Sequence, residues 1–410
     1  MRRAASLAGL RRTPGVSLMR TTAQACVEAR RALQLARRGE RQGGRQLVDQ
    51  LRSEFQGREF TELSIRLSVA EGILSMPVVG GAAAPWAARD RFARAWTLGR
   101  HHADAGLAAL ASAWSAHGLL AAGHWKLFAE SAVTGLRRAR PQDHEALSRW
   151  ALSLGGACLL ANDTDWAQIW FERARRQACA EHDGAALADT LCDLAWHQTQ
   201  RLQLLRATHP EEQPSRSMGQ AIDQAQASLQ TARAYVLLNT AGKVSARFSN
   251  LQCVQAVIFN LQGLFERELS SWNEALAAYH AWCGSITPGG LPVPEEAVFA
   301  QTVAVQQWCA RLAQSRAQSD VRHPPELDRL EQLGADTSVV ERLKLWDSVW
   351  RVISCFPAAH RRWLPAGYHS GVAKRRQEAL DMWLGQQREL RTCLQGGDLD
   401  PLVWTSWYEP

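Results

Sequence analysis

Apolar residues recur three and four positions apart from Thr22 to Arg38 and again from Thr61 to Leu394, and strand-like alternation is scarce. That period lines up side chains on one face of a helix, so it commits nearly the whole chain to amphipathic helices. Breakers cut the pattern into pieces of roughly 15 to 25 residues. They fall at Gly43-Gly44, Pro77 to Pro85, Pro141, Asn162 to Asp165, Asp183-Gly184, Thr208 to Ser217, Ser285 to Pro294, Pro324-Pro325 and Pro357 to Gly367. Paired consecutively, the pieces predict about six or seven helical hairpins, with two connections, 206–217 and 284–295, longer than a tight turn. Seventeen tryptophans are scattered about one to a segment. One bulky ring per helix suits a core made of thin stacked layers, since a single hairpin cannot cover its own ring.

The composition is globular, with 46% hydrophobic and 21% charged residues in 410. No run approaches the ~20 apolar residues of a membrane span; the longest, Leu107 to Ala122, is interrupted by Ser112, Ser115, His117 and Gly118. Charge is uneven: residues 1–58 carry 13 Arg and four acids, a balance of +9, which leaves −2 on the rest of a chain whose total is +7. The basic segment reads as a solvated leader, as a nucleic-acid or acidic-membrane arm, or as a targeting peptide. Met1 to Arg20 is Arg-rich and acid-free like a mitochondrial presequence, yet it lacks the apolar core of a secretory signal. The bias towards Arg runs through the whole chain, with Lys only at 126, 243, 344 and 374, so no address is read from it. Nine cysteines, an odd number without any Cys-x-x-Cys, sit mostly among apolar helix residues. They read as small buried hydrophobes of a reducing compartment, which makes a cytoplasmic protein the expectation.

Small residues mark a repeat. Gly118, Gly155 and Ala195 are 37 and 40 residues apart, and Gly263 stands nine residues before Trp272. Trp272, Ala275 and Tyr279 form an aromatic, small, aromatic stripe, and Ala167, Phe171 and Ala174 a small, aromatic, small one. Small residues on facing helices allow close approach, and the aromatic fills the space to the next layer. These residues resemble tetratricopeptide repeats. Trp150, Leu154, Gly155, Cys158, Ala167, Phe171 and Ala174 match the family's pattern in one unit (148–181), and Phe259, Gly263, Trp272, Ala275 and Tyr279 in another (256–289). The units around Trp114, Gly118 and Trp125, and around Leu191, Leu194 and Ala195, are degenerate. Glu266 and Trp282 depart from the pattern. The spacing near 40 is similar to the longer hairpins in sensor arms of bacterial transcription activators and in front of diguanylate cyclase domains.

Among the chemistry-bearing residues, Asp189, Asp193 and His197 lie four apart on one helix face. D-x-x-x-D resembles the first aspartate-rich motif of all-helical isoprenoid synthases, which implies a metal-diphosphate site, but no second such motif follows. The plain alternative is a polar stripe. His101, His102, His117 and His124 have no ligand spacing. Thr164 or Asp165 reads as a helix cap. Gly396 to Asp400 lacks the length of a cyclase domain behind it, and no phosphate loop, nucleophile elbow or dinucleotide fingerprint occurs. No catalytic motif, cofactor or metal is expected.

The expectation is therefore an all-α, right-handed α-solenoid of tetratricopeptide-like hairpins over 21–335. A basic leader (1–20) precedes it, and a C-terminal helical cap (336–410) follows, whose aromatic tail, Leu402 to Pro410, docks over the last hairpin. The resemblance implies a protein-binding scaffold that receives a partner peptide or helix in a concave groove, with Arg149, Asp189, Asn260 and Arg267 facing it. The rival readings are an all-helical enzyme using Asp189, Asp193 and His197, and a nucleic-acid-associated regulator using residues 1–58.

Overall fold

The computed structural model describes residues 21–38, 40–56, 60–76, 86–181, 184–209, 216–240, 246–286, 294–315, 324–335, 337–355, 364–396 and 398–404. The leader and residues 405–410 lie outside them. The described residues form sixteen α-helices and no strand. In chain order these are α1 (Thr22–Arg37), α2 (Arg41–Glu54), α3 (Thr61–Leu74), α4 (Trp86–Gly99), α5 (Ala105–Ala121), α6 (Trp125–Leu136), α7 (His144–Leu160) and α8 (Thr164–Ala180). They continue as α9 (Gly184–Thr208), α10 (Arg216–Thr240), α11 (Ala246–Leu261), α12 (Phe265–Ile286), α13 (Pro294–Ser315), α14 (Leu327–Ala335), α15 (Val339–Ser354) and α16 (Tyr368–Leu394), and a short 3-10 turn at Pro401–Trp404 ends the description.

Contacts follow a two-layer order. Each odd helix from α1 to α11 packs on the even helix after it, and the odd helices also pack on one another in series, α1 on α3, α3 on α5, and so on to α11. The series curls far enough to bring α1 against α9. The central odd helices α5 and α7, touched from two sides, are buried almost all round and bury Ser112, Ser115, Ser148 and Ser153 along with their apolar residues. Trp114, Trp150, Trp170, Trp346 and Trp383 are among the largest fully buried side chains, one to a helix.

Rings sit on glycines. An ideal Cβ at Gly155 would lie 2.7 Å from the Phe171 ring, and one at Gly135 only 2.3 Å from Trp150 and 2.6 Å from the Ser112 hydroxyl. We expect Gly135→Ala to lower stability by about 1–3 kcal/mol through overpacking. Gly219→Ala should instead raise it by about 0.4–1 kcal/mol, because α10 has open space at that position. Urea unfolding midpoints measure both. Equal shifts of the same sign would refute the seam at Gly135.

Several expectations are corrected. Gly43-Gly44 does not break the chain. Both lie inside α2, where Gly44 approaches a neighbouring helix, its Cβ position 3.1 Å from Leu74. Gly263 is not a seam residue. It is exposed, has φ +73° with nothing within 4 Å of a Cβ, and ends α11 with the Leu264 N–H donating to the Phe259 carbonyl at 2.8 Å. Glycine is favoured there because a left-handed residue stops a helix. The cap of α8 is Asp163, whose carboxylate accepts from Trp166 N at 3.1 Å, rather than Thr164 or Asp165.

The C-terminal segment packs on α13 and α14 but reaches well beyond them. Buried residues of α15 and α16 share one core with α5 to α8, α16 packs on α6 and α7, and α15 on α9 and α13. The tail's described part rests on α8, where the Arg173 guanidinium donates to the Pro401 carbonyl at 2.6 Å. The cause lies in helix ends. The last carbonyls of a helix have no intrahelical partner and carry the negative end of its dipole, which a forked guanidinium suits. Arg391 donates to Ala161 O (3.0 Å) and Gln387 to Leu160 O (2.9 Å) at the end of α7; Arg376 donates to Ala207 O (2.7 Å) and Arg351 to Arg206 O at the end of α9. Arg247 does the same for α1 through Arg37 O (2.6 Å), Arg138 for α4 through Arg100 O (2.8 Å) and Arg342 for α14 through Gly334 O (2.9 Å). Part of the arginine bias thus serves to join helix ends far apart in sequence.

Candidate functional site on the inner face of α9

Helix α9 is the hub, touching α1, α7, α8, α10, α11 and α15. Its residues at four-residue spacing, Asp189, Asp193, His197 and Gln200 one step further, face the other odd helices. Asp189 is buried and takes the Arg247 guanidinium on one oxygen and Arg149 on the other, with Arg37 Nε at 3.6 Å. Arg149 also donates to Asp193 at 3.0 Å and lies over the Trp114 ring, 4.0 Å from its centroid. Arg37 reaches on to Glu181 (3.1 Å) and Glu145 (3.5 Å). One cluster therefore ties α1, α7, α8, α9 and α11 together.

Its electrostatics divide the two aspartates. Burial raises the Asp189 carboxyl, but Arg247, Arg149 and Arg37 together outweigh it and hold the group well below the ordinary carboxylate range. Burial and then the charge of Asp189 push Asp193 upward, against Arg149 and Arg247. Asp193 keeps 32% of its side chain in contact with solvent, at the edge of an otherwise enclosed cluster. Burial, then Arg149, lowers His197 to about 4. That imidazole is neutral, stacks on Phe171 at 6.2 Å, and leaves Nδ1 unbonded among the described residues.

The same stretch of α9 continues towards α15, on which it packs. Trp196, His197 and Gln200 are half-buried there. Gln200 donates to Glu341 (3.3 Å), which also takes Lys344 (2.6 Å), and Lys344 sits 4.5 Å over the Trp196 ring. A gap of about 60 Å³ remains between Trp196, Cys253, Trp272, Phe299 and Lys344.

The four residues expected to face a partner separate. Arg149 and Asp189 come together, but as a buried ion pair of the interior. Asn260 and Arg267 lie at the α11–α12 turn instead. Asn260 donates to Glu268 at 2.9 Å, and Arg267, exposed, stacks 5.9 Å from Phe259. On this face of α9, Asp193, Trp196, His197 and Gln200 are only half-buried. The sequence reading missed Arg37, Arg247 and Lys344; for Arg37 the signal was its place at the end of the apolar stripe Ala29, Ala32, Leu33 and Ala36. Of the N-terminal basic residues, Arg37 and Arg52 are used internally, while Arg30, Arg31 and Arg45 are exposed.

For the metal-diphosphate reading the surroundings of Asp189 are of the wrong charge, since guanidiniums occupy both its oxygens. Among the described residues no group of three or more His, Cys, Asp or Glu is placed to hold a metal ion. His117 Nδ1 lies 3.2 Å from Ser153 Oγ. A Ser–His pair has the composition of an activated nucleophile, but Ser153 is fully buried in the middle of α7. The pair serves as a hydrogen bond between α5 and α7.

Below the α11–α12 turn, Glu268 is buried with Asn260 and the Trp272 indole (3.2 Å) as donors. Burial outweighs those bonds and Arg206, pushing the carboxyl up to about 7. The folded state then holds a proton that the unfolded chain has released, so stability falls as pH rises between about 4.5 and 7. We expect a loss of a few kcal/mol over that window, and Glu268→Gln should flatten it in urea titrations at stepped pH. A wild-type slope of the opposite sign would refute the assignment.

Fold and site together define an all-helical protein whose layers are joined by a buried arginine–aspartate cluster. No helix among the described residues is long and apolar enough to cross a membrane. Compared with family models and with curated proteins, the chain matches none.

Proposed function

We propose that the protein is an interaction scaffold of tetratricopeptide-like hairpins in a right-handed solenoid, and that it receives a peptide or helix of another protein along α9. The observation that carries this reading is the serial packing of odd helices α1 to α11, each backed by an even helix, because stacked two-helix layers are the architecture of binding solenoids, and α9 keeps part of its inner face only half-buried. The half-buried Asp193, Trp196, His197 and Gln200 give that face an aromatic anchor flanked by hydrogen-bonding groups, the composition of a recognition surface.

The test is site-specific photocrosslinking in the full chain. A benzophenone amino acid replacing Trp196 should couple to one discrete polypeptide, whereas the same probe replacing Leu238, 77% exposed on the outer helix α10, should not. Equal or absent coupling at the two positions would refute the scaffold reading.

A further inference from the structure

Asp193, Trp196, Gln200 and Gln203 are spaced three and four apart, so they form one stripe of α9. Beside that stripe lies the gap of about 60 Å³, where α9, α11, α12, α13 and α15 meet. Its walls are mainly apolar, with Trp196, Val257, Trp272, Phe299 and Leu345 among them. Trp196 is half-buried, and Trp272, Phe299 and Leu345 keep 7, 6 and 7% of their surfaces open. A cavity that takes up benzene measures about 150 Å³. Less than half of that volume suits a branched aliphatic group and excludes an aromatic ring.

The charged residues that line the gap, Glu341 and Lys344, neutralise each other at 2.6 Å. An ion entering here would lose water without meeting a net counter-charge, so the gap suits an uncharged group. Gln203 of α9 and Gln306 of α13 line it too. Both are half-buried with their amides open to solvent, and neither amide has a hydrogen-bond partner among the described residues. An amide offers a donor and an acceptor, the complement of a peptide group. Peptide groups inside a helix are already bonded to one another, whereas those of an extended segment are free.

We propose that this gap is a socket for one branched aliphatic side chain, valine in size, carried by an extended and uncharged segment of the partner. The side chain enters between Trp196, Trp272 and Phe299, and the flanking peptide groups bond to Gln203 and Gln306. The inference rests on the scaffold reading above and specifies its partner, an extended peptide rather than a helix. Affinity comes from the apolar group leaving water. Selectivity comes from size and from the cancelled charge at the rim.

Fluorescence anisotropy of the full chain with end-blocked, fluorescein-labelled pentapeptides tests this, using Ser-Ser-Val-Ser-Ser and its glycine and phenylalanine counterparts at the centre. The valine peptide should saturate one site per chain and bind at least tenfold more tightly than the other two. Val257→Phe, which puts a ring into the socket, should weaken the valine peptide at least tenfold. Should that variant fail to fold, Val257→Leu, one methylene larger, should weaken it at least threefold. Gln203→Ala combined with Gln306→Ala should also weaken it at least threefold. The proposal is overturned if the valine peptide does not saturate, if the three peptides bind alike, or if filling the socket leaves affinity unchanged. It fails separately from the scaffold reading. Discrete coupling at position 196 with no ranking among the peptides removes the socket alone, and ranked peptides without coupling remove the scaffold reading but leave the socket.

Discussion

Asp189→Ala is expected to lower folding stability by about 3–5 kcal/mol, the cost of breaking a buried ion pair on one side only. The aspartate is the single group that faces Arg37, Arg149 and Arg247 together. Without it, three guanidiniums on α1, α7 and α11 converge on a site with no carboxylate between them. Arg149 keeps Asp193 and Arg37 keeps Glu181, so repulsion is blunted, not removed. Asp193→Asn provides the contrast. Its carboxylate is already disfavoured by burial and by Asp189, and an amide oxygen still accepts from Arg149, so the change should stay within about 1 kcal/mol. Urea unfolding monitored by circular dichroism at neutral pH compares the two. If Asp189→Ala costs no more than Asp193→Asn, the cluster is not the joint described above.

A comparable loss, about 3–5 kcal/mol, should follow Asp347→Ala, with a different spatial signature. Asp347 is buried in α15 and accepts from Arg376 Nε at 2.8 Å and Arg351 Nε at 2.7 Å. Those two guanidiniums also hold the last carbonyls of α9. The carboxylate neutralises them and sets their forks in the plane that reaches Arg206 and Ala207. Its removal leaves Arg376, 6% exposed over the Trp350 ring, with an uncompensated charge, and unseats α15 and α16 from α9. Hydrogen exchange read by mass spectrometry should show faster exchange in α15, α16 and the end of α9, with α1 to α4 unchanged. Uniform acceleration along the chain would contradict a local joint.

Much of the helical layout was legible because it depends on local geometry. The spacing of Ala167, Phe171 and Ala174 places them on one stripe of α8, and Gly155 faces that stripe from the neighbouring helix, so the ring-on-glycine contact is written within 20 residues. Glycine itself was ambiguous. Gly155 admits a ring, Gly44 a neighbouring helix, and Gly263 a left-handed turn, and a bare sequence does not distinguish space from backbone angle. The site was less legible than the fold. Asp189, Asp193 and His197 were visible as one face of α9, but their meaning depended on Arg149, 40 residues away, and on Arg37, more distant still. An arginine on a helix reads as solvated until its partner is known.

By itself, then, the order of residues determined that this protein is helical and where most helices start and stop, because a 3.6-residue period and its breakers act over a few turns. Only the tertiary structure decided which arginines turn inward, that α1 closes on α9, and that α15 and α16 fold back onto α6, α7 and α9. The physical reason is that an orphaned helix-end carbonyl accepts any guanidinium that reaches it. Which one does so depends on the path the chain takes in space.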